Sequence, residues 1–188
     1  DVGKRQASAE IVAAQDSSTE STLPVHLGLG ISKGDRMDYA IQKAVELGVT
    51  EITPLFTRYS MVKLDDKRRE KRHQHWQGII IGACEQCGRN QLPHLHRAMD
   101  NSDWLASIES DLKLTLDPLA GQSLSDIKQT PSSIGLYIGP EGGLSEEEIN
   151  HAKVAGFTGT QLGPRILRTE TAVVSAITAV QFSWGDLK

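Results

Sequence analysis

Along the chain, short apolar-rich runs alternate with longer stretches whose apolar residues recur every three or four positions. Val25–Leu29, Glu51–Phe56, Leu112–Leu116, Ile134–Ile138 and Phe157–Leu162 are the short runs, and they read as strands. The spaced stretches read as helices. One runs from a capping Asp35 to about Leu47, with Ile41, Ala44, Val45 and Leu47 on its apolar face and Gly48 as its stop. A long one opens at Asp65 or Asp66 and reaches about Cys87; its second half, Ile79 to Ala83, is apolar enough to be buried. A short helix is capped by Ser102 or Asp103. Ser145 with Glu148 forms a capping box for a helix ending near Gly156. The last helix, Thr171 to Phe182, is apolar on nearly all sides and must be covered by its own core or by a second subunit. Strands alternating with helices predict an α/β fold with a mostly parallel sheet and helices on both faces.

The first residues differ. Ala7 to Val12 is strand-like, whereas residues 13–22 are small and polar and read as a linker. The chain opens Asp1-Val2-Gly3 without Met and reads as a piece of a longer protein. Residues 120–133 are Ser/Gln/Asp-rich and predict a loop.

Composition narrows the picture a little. A length of 188 residues, 38% hydrophobic and 23% charged, fits one full α/β domain plus a smaller piece. No apolar run approaches membrane-spanning length, and no signal-peptide pattern is present. The net charge of −4 disfavours a grip on nucleic acid through bulk charge. Positive charge is nevertheless crowded into Lys63, Lys67, Arg68, Arg69, Lys71 and Arg72, a solvated helix face or an RNA contact. Cys84 and Cys87 form a lone Cys-x-x-Cys, so no disulfide framework exists and a reducing cytoplasm is expected. His94 and His96 would have to complete a zinc site with them, at a spacing that matches no common finger. No metal is therefore expected, and the scattered histidines read as surface or core residues. Gly28-Leu29-Gly30 has a dinucleotide-loop look, but its third glycine, Gly34, falls one place late.

Two segments carry the chemistry. Ile138-Gly139-Pro140-Glu141-Gly142-Gly143 and Leu162-Gly163-Pro164-Arg165-Ile166-Leu167-Arg168-Thr169-Glu170-Thr171-Ala172 each follow a strand and lead toward a helix. Sharp turns at the carboxyl ends of strands build a ligand crevice there. Glycines let the backbone approach a ligand closely. Arg165, Arg168 and Glu170 put charge at its rim.

These segments resemble the RsmE family, SPOUT-class enzymes that methylate N3 of a uridine in 16S ribosomal RNA. The resemblance extends to Lys33-Gly34-Asp35-Arg36-Met37-Asp38, Ile41-Gln42-Lys43, Glu46-Leu47-Gly48-Val49, Ile52-Thr53-Pro54-Leu55 and Ala83-Cys84-Glu85-Gln86-Cys87-Gly88-Arg89, in order over residues 24–188. It implies a SPOUT methyltransferase domain at 23–188 with a C-terminal trefoil knot, and at 1–22 the remnant of an N-terminal RNA-binding β-barrel plus linker. It implies S-adenosylmethionine, held by Leu116, Ile138, Gly139, Pro140, Glu141, Gly142, Gly143, Leu162, Gly163, Ile166, Leu167, Thr169 and Ala172. Arg165 and Arg168 would stabilise the uridine anion, and Glu170 or Glu141 would accept its proton. Lys33, Arg36, Lys67, Arg68 and Arg89 would touch RNA of the small ribosomal subunit, and a homodimer is implied. The competing expectations are another SPOUT enzyme, acting on tRNA or a ribose 2′-hydroxyl, and a non-catalytic RNA-binding module.

Overall fold

The computed structural model describes residues 8–13, 18–60 and 66–188. Its strands are β1 (Val25–Gly30), β2 (Glu51–Phe56), β3 (His94–Leu95), β4 (Met99–Asp100), β5 (Leu112–Leu116), β6 (Ile134–Ile138) and β7 (Thr158–Thr160). They form one sheet in the order β3-β2-β1-β6-β5-β7, with β4 also on β2, and every pairing is parallel. The helices are α1 (Asp35–Glu46), α2 (Asp66–Cys87), α3 (Asn101–Ser107), α4 (Glu146–Val154) and α5 (Thr169–Trp184). The α/β architecture read from the sequence is thus formed.

Strand alternation sorts the core into two layers. Val25, Leu27 and Leu29 of β1 and Ile134, Leu136 and Ile138 of β6 face α1, α2 and α5. Tyr137, Leu55 and Phe157 face the other way and pack with Trp104 of α3 and Ala152 of α4. Gly28 and Gly30 belong to this design. A Cβ on Gly28 would lie 2.5 Å from the Trp104 ring, and one on Gly30 2.4 Å from Pro140. They are strand glycines that admit close neighbours, not a phosphate loop.

Several expectations need correction. Residues 8–13 take no regular structure, and Ile11 and Val12 are exposed, so the strand expected at 7–12 does not form over 8–12; Ala7 lies outside the described residues. The supposed linker is docked at its end. Thr19 Oγ1 donates to Gly88 O at 3.0 Å, Glu20 pairs with Arg89, and Ser21 Oγ donates to Gln181 Oε1 at 2.9 Å. Asp35 is the first residue of α1 rather than its cap; Gly34, at φ 54, holds the cap position and leaves Asp35 and Asp38 to complement the helix dipole. α3 starts at Asn101 straight out of β4, one residue before the expected caps. In α2 only one stripe, Trp76, Ile80, Ala83 and Cys84, is fully buried, and Ile81 is 40% exposed. A helix laid on a sheet buries a stripe of period 3.6, not a continuous run. β7 is shorter than expected, as an edge strand, and α5 is longer at both ends. Its exposed positions include Thr171, Thr178 and Phe182, so it is not covered all round. The short strands β3 and β4 carry no long apolar run and escaped the pattern. The loop at 120–133 holds one 3-10 turn, Leu124–Asp126.

Candidate functional site

A crevice of about 470 Å³ opens at the carboxyl ends of β5, β6 and β7. Two turns build it. In the first, Gly143 N donates to Pro140 O at 2.8 Å, and Gly143 takes φ +72. A Cβ on Gly139 would sit 2.7 Å from the Gly143 carbonyl carbon, and one on Gly142 2.7 Å from Tyr59 Cβ. The turn therefore stays this tight only with glycine. In the second, Gly163 takes φ +71, a conformation that side chains resist.

Glu141 and Glu148 hold this edge in place. Glu141 Oε1 accepts from Lys33 N at 3.0 Å and from Arg36 Nη1 at 3.2 Å, tying the loop after β1 to the loop after β6. Burial pushes the Glu141 carboxyl up, but hydrogen bonds from its own N–H, the Lys33 N–H, Ser32 and Arg36 together hold it below the usual carboxylate range. Its other oxygen, Oε2, is buried with no hydrogen-bond partner. Glu148 closes the expected capping box on Ser145 and also accepts from Arg58 N at 2.9 Å and Asn101 Nδ2 at 2.9 Å. The first turn of α4 is thereby fixed against the crevice wall.

Every residue expected at the cofactor, from Leu116 through Ile138–Gly143 and Leu162, Gly163, Ile166 and Leu167 to Thr169 and Ala172, is in the crevice lining. Arg165 lines it too. Arg168 does not; it is exposed at the N-cap of α5, where a cation opposes the helix dipole. Glu170 lies in the first turn of α5, outside the lining, with Oε2 buried and unpartnered. The lining also includes Asp117, Pro118 and Leu119 after β5, Leu144, Glu146 and Ile149 around the start of α4, and Thr160 and Gln161 after β7. The capping box was the sequence signal for the α4 group, since it fixes where that helix begins.

The expected RNA contacts divide. Lys67 and Arg68 are exposed on the first turn of α2, and Lys63 falls outside the described residues. Lys33 and Arg36 lie at the crevice rim. Arg89 is different. Its side chain is 5% exposed, Nη1 donates to Val45 O and Val49 O at 2.9 Å each, and Nη2 meets Glu20 Oε2 at 2.5 Å. A guanidinium committed in this way staples the end of α2 to the α1–β2 turn and cannot reach RNA. Cys84 Sγ donates to Gln91 O at 3.9 Å, and the cysteines share no cluster with His94 and His96. Burial pushes the Cys84 thiol up, which suits a structural role.

A parallel α/β sheet with a glycine-built crevice at its carboxyl edge defines a class of cofactor-binding enzyme domains. The RNA methyltransferase domain model matches residues 19–181, and the chain belongs to that family. It is 42% identical over 178 residues to the ribosomal RNA small subunit methyltransferase E of Buchnera aphidicola (subsp. Schizaphis graminum), covering 94% of this chain and 72% of the relative. It is 32% identical over 191 residues to the protein of the same name from Bacillus subtilis, covering 96% and 74%. A methyltransferase from Legionella pneumophila, solved with bound cofactor SAM, superposes with a TM-score of 0.89 at 44% identity over 92% of this chain and 72% of that one. The ribosomal RNA small subunit methyltransferase E of Neisseria gonorrhoeae, bound to S-adenosyl methionine, gives 0.87 at 42% identity over 93% and 72%.

Proposed function

We propose that this chain uses S-adenosylmethionine to methylate N3 of a uridine in small-subunit (16S) ribosomal RNA. The observation that carries the reading is the crevice, lined by all thirteen expected residues, twelve of them in the two glycine-rich segments and Leu116 at the end of β5, in a chain so close to small-subunit rRNA methyltransferases. The residues fit the cofactor. The crevice volume suits a small molecule of its size. Its walls are mainly apolar, and Gly163 leaves open space where a side chain would stand. Two carboxylate oxygens, on Glu141 and Glu170, are buried without partners near this edge.

S-adenosylmethionine supplies an electrophilic methyl group on a sulfonium. The chain's part is to hold it and to prepare the uridine. Backbone groups of the loops after β5, β6 and β7 hold the cofactor, with Leu116, Ile138, Leu162, Leu167 and Ala172 against its apolar surface. N3 carries a proton between two carbonyls, so charge develops on the base as the proton leaves. Arg165 at the rim and Arg168 beside it face that charge with positive groups. A cation at the dipole-positive start of α5 is unfavourable for the fold, which supports a functional reason for Arg168. Glu170 accepts the proton. N3 lies on the pairing edge, so the uridine is unpaired or flipped out when it reacts.

The same reading extends to assembly. Residues 23–188 act as the SPOUT methyltransferase domain and 1–22 as the remnant of an RNA-binding barrel with its linker. The segment from β7 to α5 threads a trefoil knot; the contact of Gln161 N with Gln122 O at 2.9 Å, which lays the 120s loop against this segment, supports it. The chain works as a homodimer, in keeping with the exposed Ile166 before α5 and the exposed Phe182 near its end. It works in the cytoplasm on the small ribosomal subunit; among the described residues no helix is long and apolar enough to cross a membrane. RNA affinity rests on Lys33, Arg36, Lys67 and Arg68. Calorimetry with S-adenosylmethionine, followed by methyl transfer to small-subunit RNA, tests the reading. One binding site per chain and label in 3-methyluridine are expected. No binding by a folded protein, or label in a ribose or another base, refutes it.

A further inference from the structure

At the amino ends of β1 and β2 and the carboxyl end of the short β3, on the sheet face that carries α3, side chains from separate strands converge. His26 Nδ1 lies 3.7 Å from Glu51 Oε2, and His96 Nε2 lies 2.7 Å from the same oxygen. The three ligand atoms all fall within 4.8 Å of one another. Tetrahedral zinc, with bonds of about 2.0–2.2 Å, sets neighbouring ligand atoms roughly 3.3–3.5 Å apart, so small side-chain rotations would complete the site. The His26 and His96 rings stack with centroids 5.0 Å apart, and His94 meets His96 edge-on at 4.2 Å. The cluster is half-buried, with His26 only 17% exposed. Two imidazoles and a carboxylate form the nitrogen and oxygen donor set that zinc favours.

We propose that His26, Glu51 and His96 bind a divalent cation of the zinc class, at the sheet edge opposite the crevice. The ion's role is structural. β3 is a two-residue strand, held to β2 by the register Glu51↔His94. A metal bridging His26 of β1, Glu51 of β2 and His96 just after β3 fastens that edge across the sheet. One outer-shell partner, Thr53, is in place. His26 Nε2 lies 2.8 Å from Thr53 Oγ1, and the Trp104 indole N–H donates to it at 3.2 Å. Coordination through Nδ1 moves the ring proton to Nε2. Thr53 Oγ1 then accepts that proton, and the Trp104 donor is displaced. The His26 ring stays neutral; His96, whose Nε2–H faces Glu51 Oε2 in the metal-free fold, must move that proton to Nδ1 or release it when Nε2 coordinates the ion. Burial, opposed by Glu51 and assisted by His96 and His94, lowers His26 to about 4, so its ring is already neutral at neutral pH.

Calorimetric titration of the chelator-stripped chain with zinc chloride at neutral pH tests the site. One equivalent at micromolar affinity or tighter is expected, with a shift of the Trp104 indole N–H resonance. His96→Ala and Glu51→Gln are each expected to weaken binding by at least about 10–100-fold. A Cys84→Ser, Cys87→Ser double variant is expected to bind within about twofold of the parent, as distant sites do. Near-UV circular dichroism checks that each variant is folded, and Glu51→Gln keeps the shape of the cluster should His96→Ala not fold. Absence of micromolar binding overturns the proposal. So does binding that survives both cluster variants or is lost with the cysteines.

Discussion

The two edges of this parallel sheet are built on opposite plans. At the carboxyl edge, the crevice is shaped by backbone: tight turns at Gly139–Gly143 and Gly163 set its form, and apolar side chains such as Leu116 and Leu162 line it. At the amino edge, the His26–Glu51–His96 cluster is made entirely of side chains. The first plan needs glycines in runs, so its residues are neighbours in sequence. The second needs only one residue from each strand, so its members lie far apart. A site made of backbone is disabled by adding a side chain, and a site made of side chains by removing one.

The largest effect follows from adding a side chain. Gly163→Val puts a β-branched residue at φ +71, and it is expected to abolish measurable cofactor binding in calorimetry while the thermal unfolding transition persists. Wild-type affinity in this variant would contradict a backbone-built crevice. Gly142→Val is less clean, because its Cβ would press on Tyr59.

Next is the Arg89 staple between the end of α2 and the α1–β2 turn. Arg89→Ala leaves Glu20 and two carbonyls without their donor and is expected to cost roughly 3–5 kcal/mol in denaturant unfolding, with little direct effect on RNA affinity per folded molecule. A stable variant with weak RNA binding would return Arg89 to the RNA surface.

Arg168→Ala, in the full-length enzyme, is expected to lower turnover by about 10²–10³ while cofactor affinity stays within a few-fold. Parallel losses of both would make Arg168 a loop-shaping residue instead.

The smallest effect is at the amino edge. Burial lowers His26 to about 4 in the fold from its ordinary value of 6.5, so between these values the unfolded chain binds more protons. Stability is therefore expected to be complete above about pH 6.5 and to fall as pH drops toward 4, by on the order of 2 kcal/mol. Glu51, also held below its usual range, loses stability in the same direction. Its carboxyl is raised by burial but lowered more by the His96 hydrogen bond and the nearby histidines. Denaturant midpoints across this range check it, and His26→Gln should flatten the profile.

The contrast between the edges also explains what could be read from the sequence. Elements with a strong period were legible to the residue: β2, β5 and β6 fall where the apolar runs place them. The Ser145–Glu148 box was legible because it is local. The crevice lining was legible because glycine turns and apolar strand ends are written consecutively. What failed was non-local. Arg89 looks like a surface cation in isolation; only folding brings Glu20 and the ends of α1 to it. His26, Glu51 and His96 carry no spacing that marks them, because parallel strands need long crossovers between neighbours. β3 is too short to have a period, and its pairing is decided by β2 rather than by its own residues.

Nucleoside analysis of small-subunit ribosomal RNA from cells lacking this protein tests the assignment most directly. Loss of 3-methyluridine from 16S RNA, restored by the wild-type protein but not by Gly163→Val, is expected. Unchanged 3-methyluridine in those cells contradicts it.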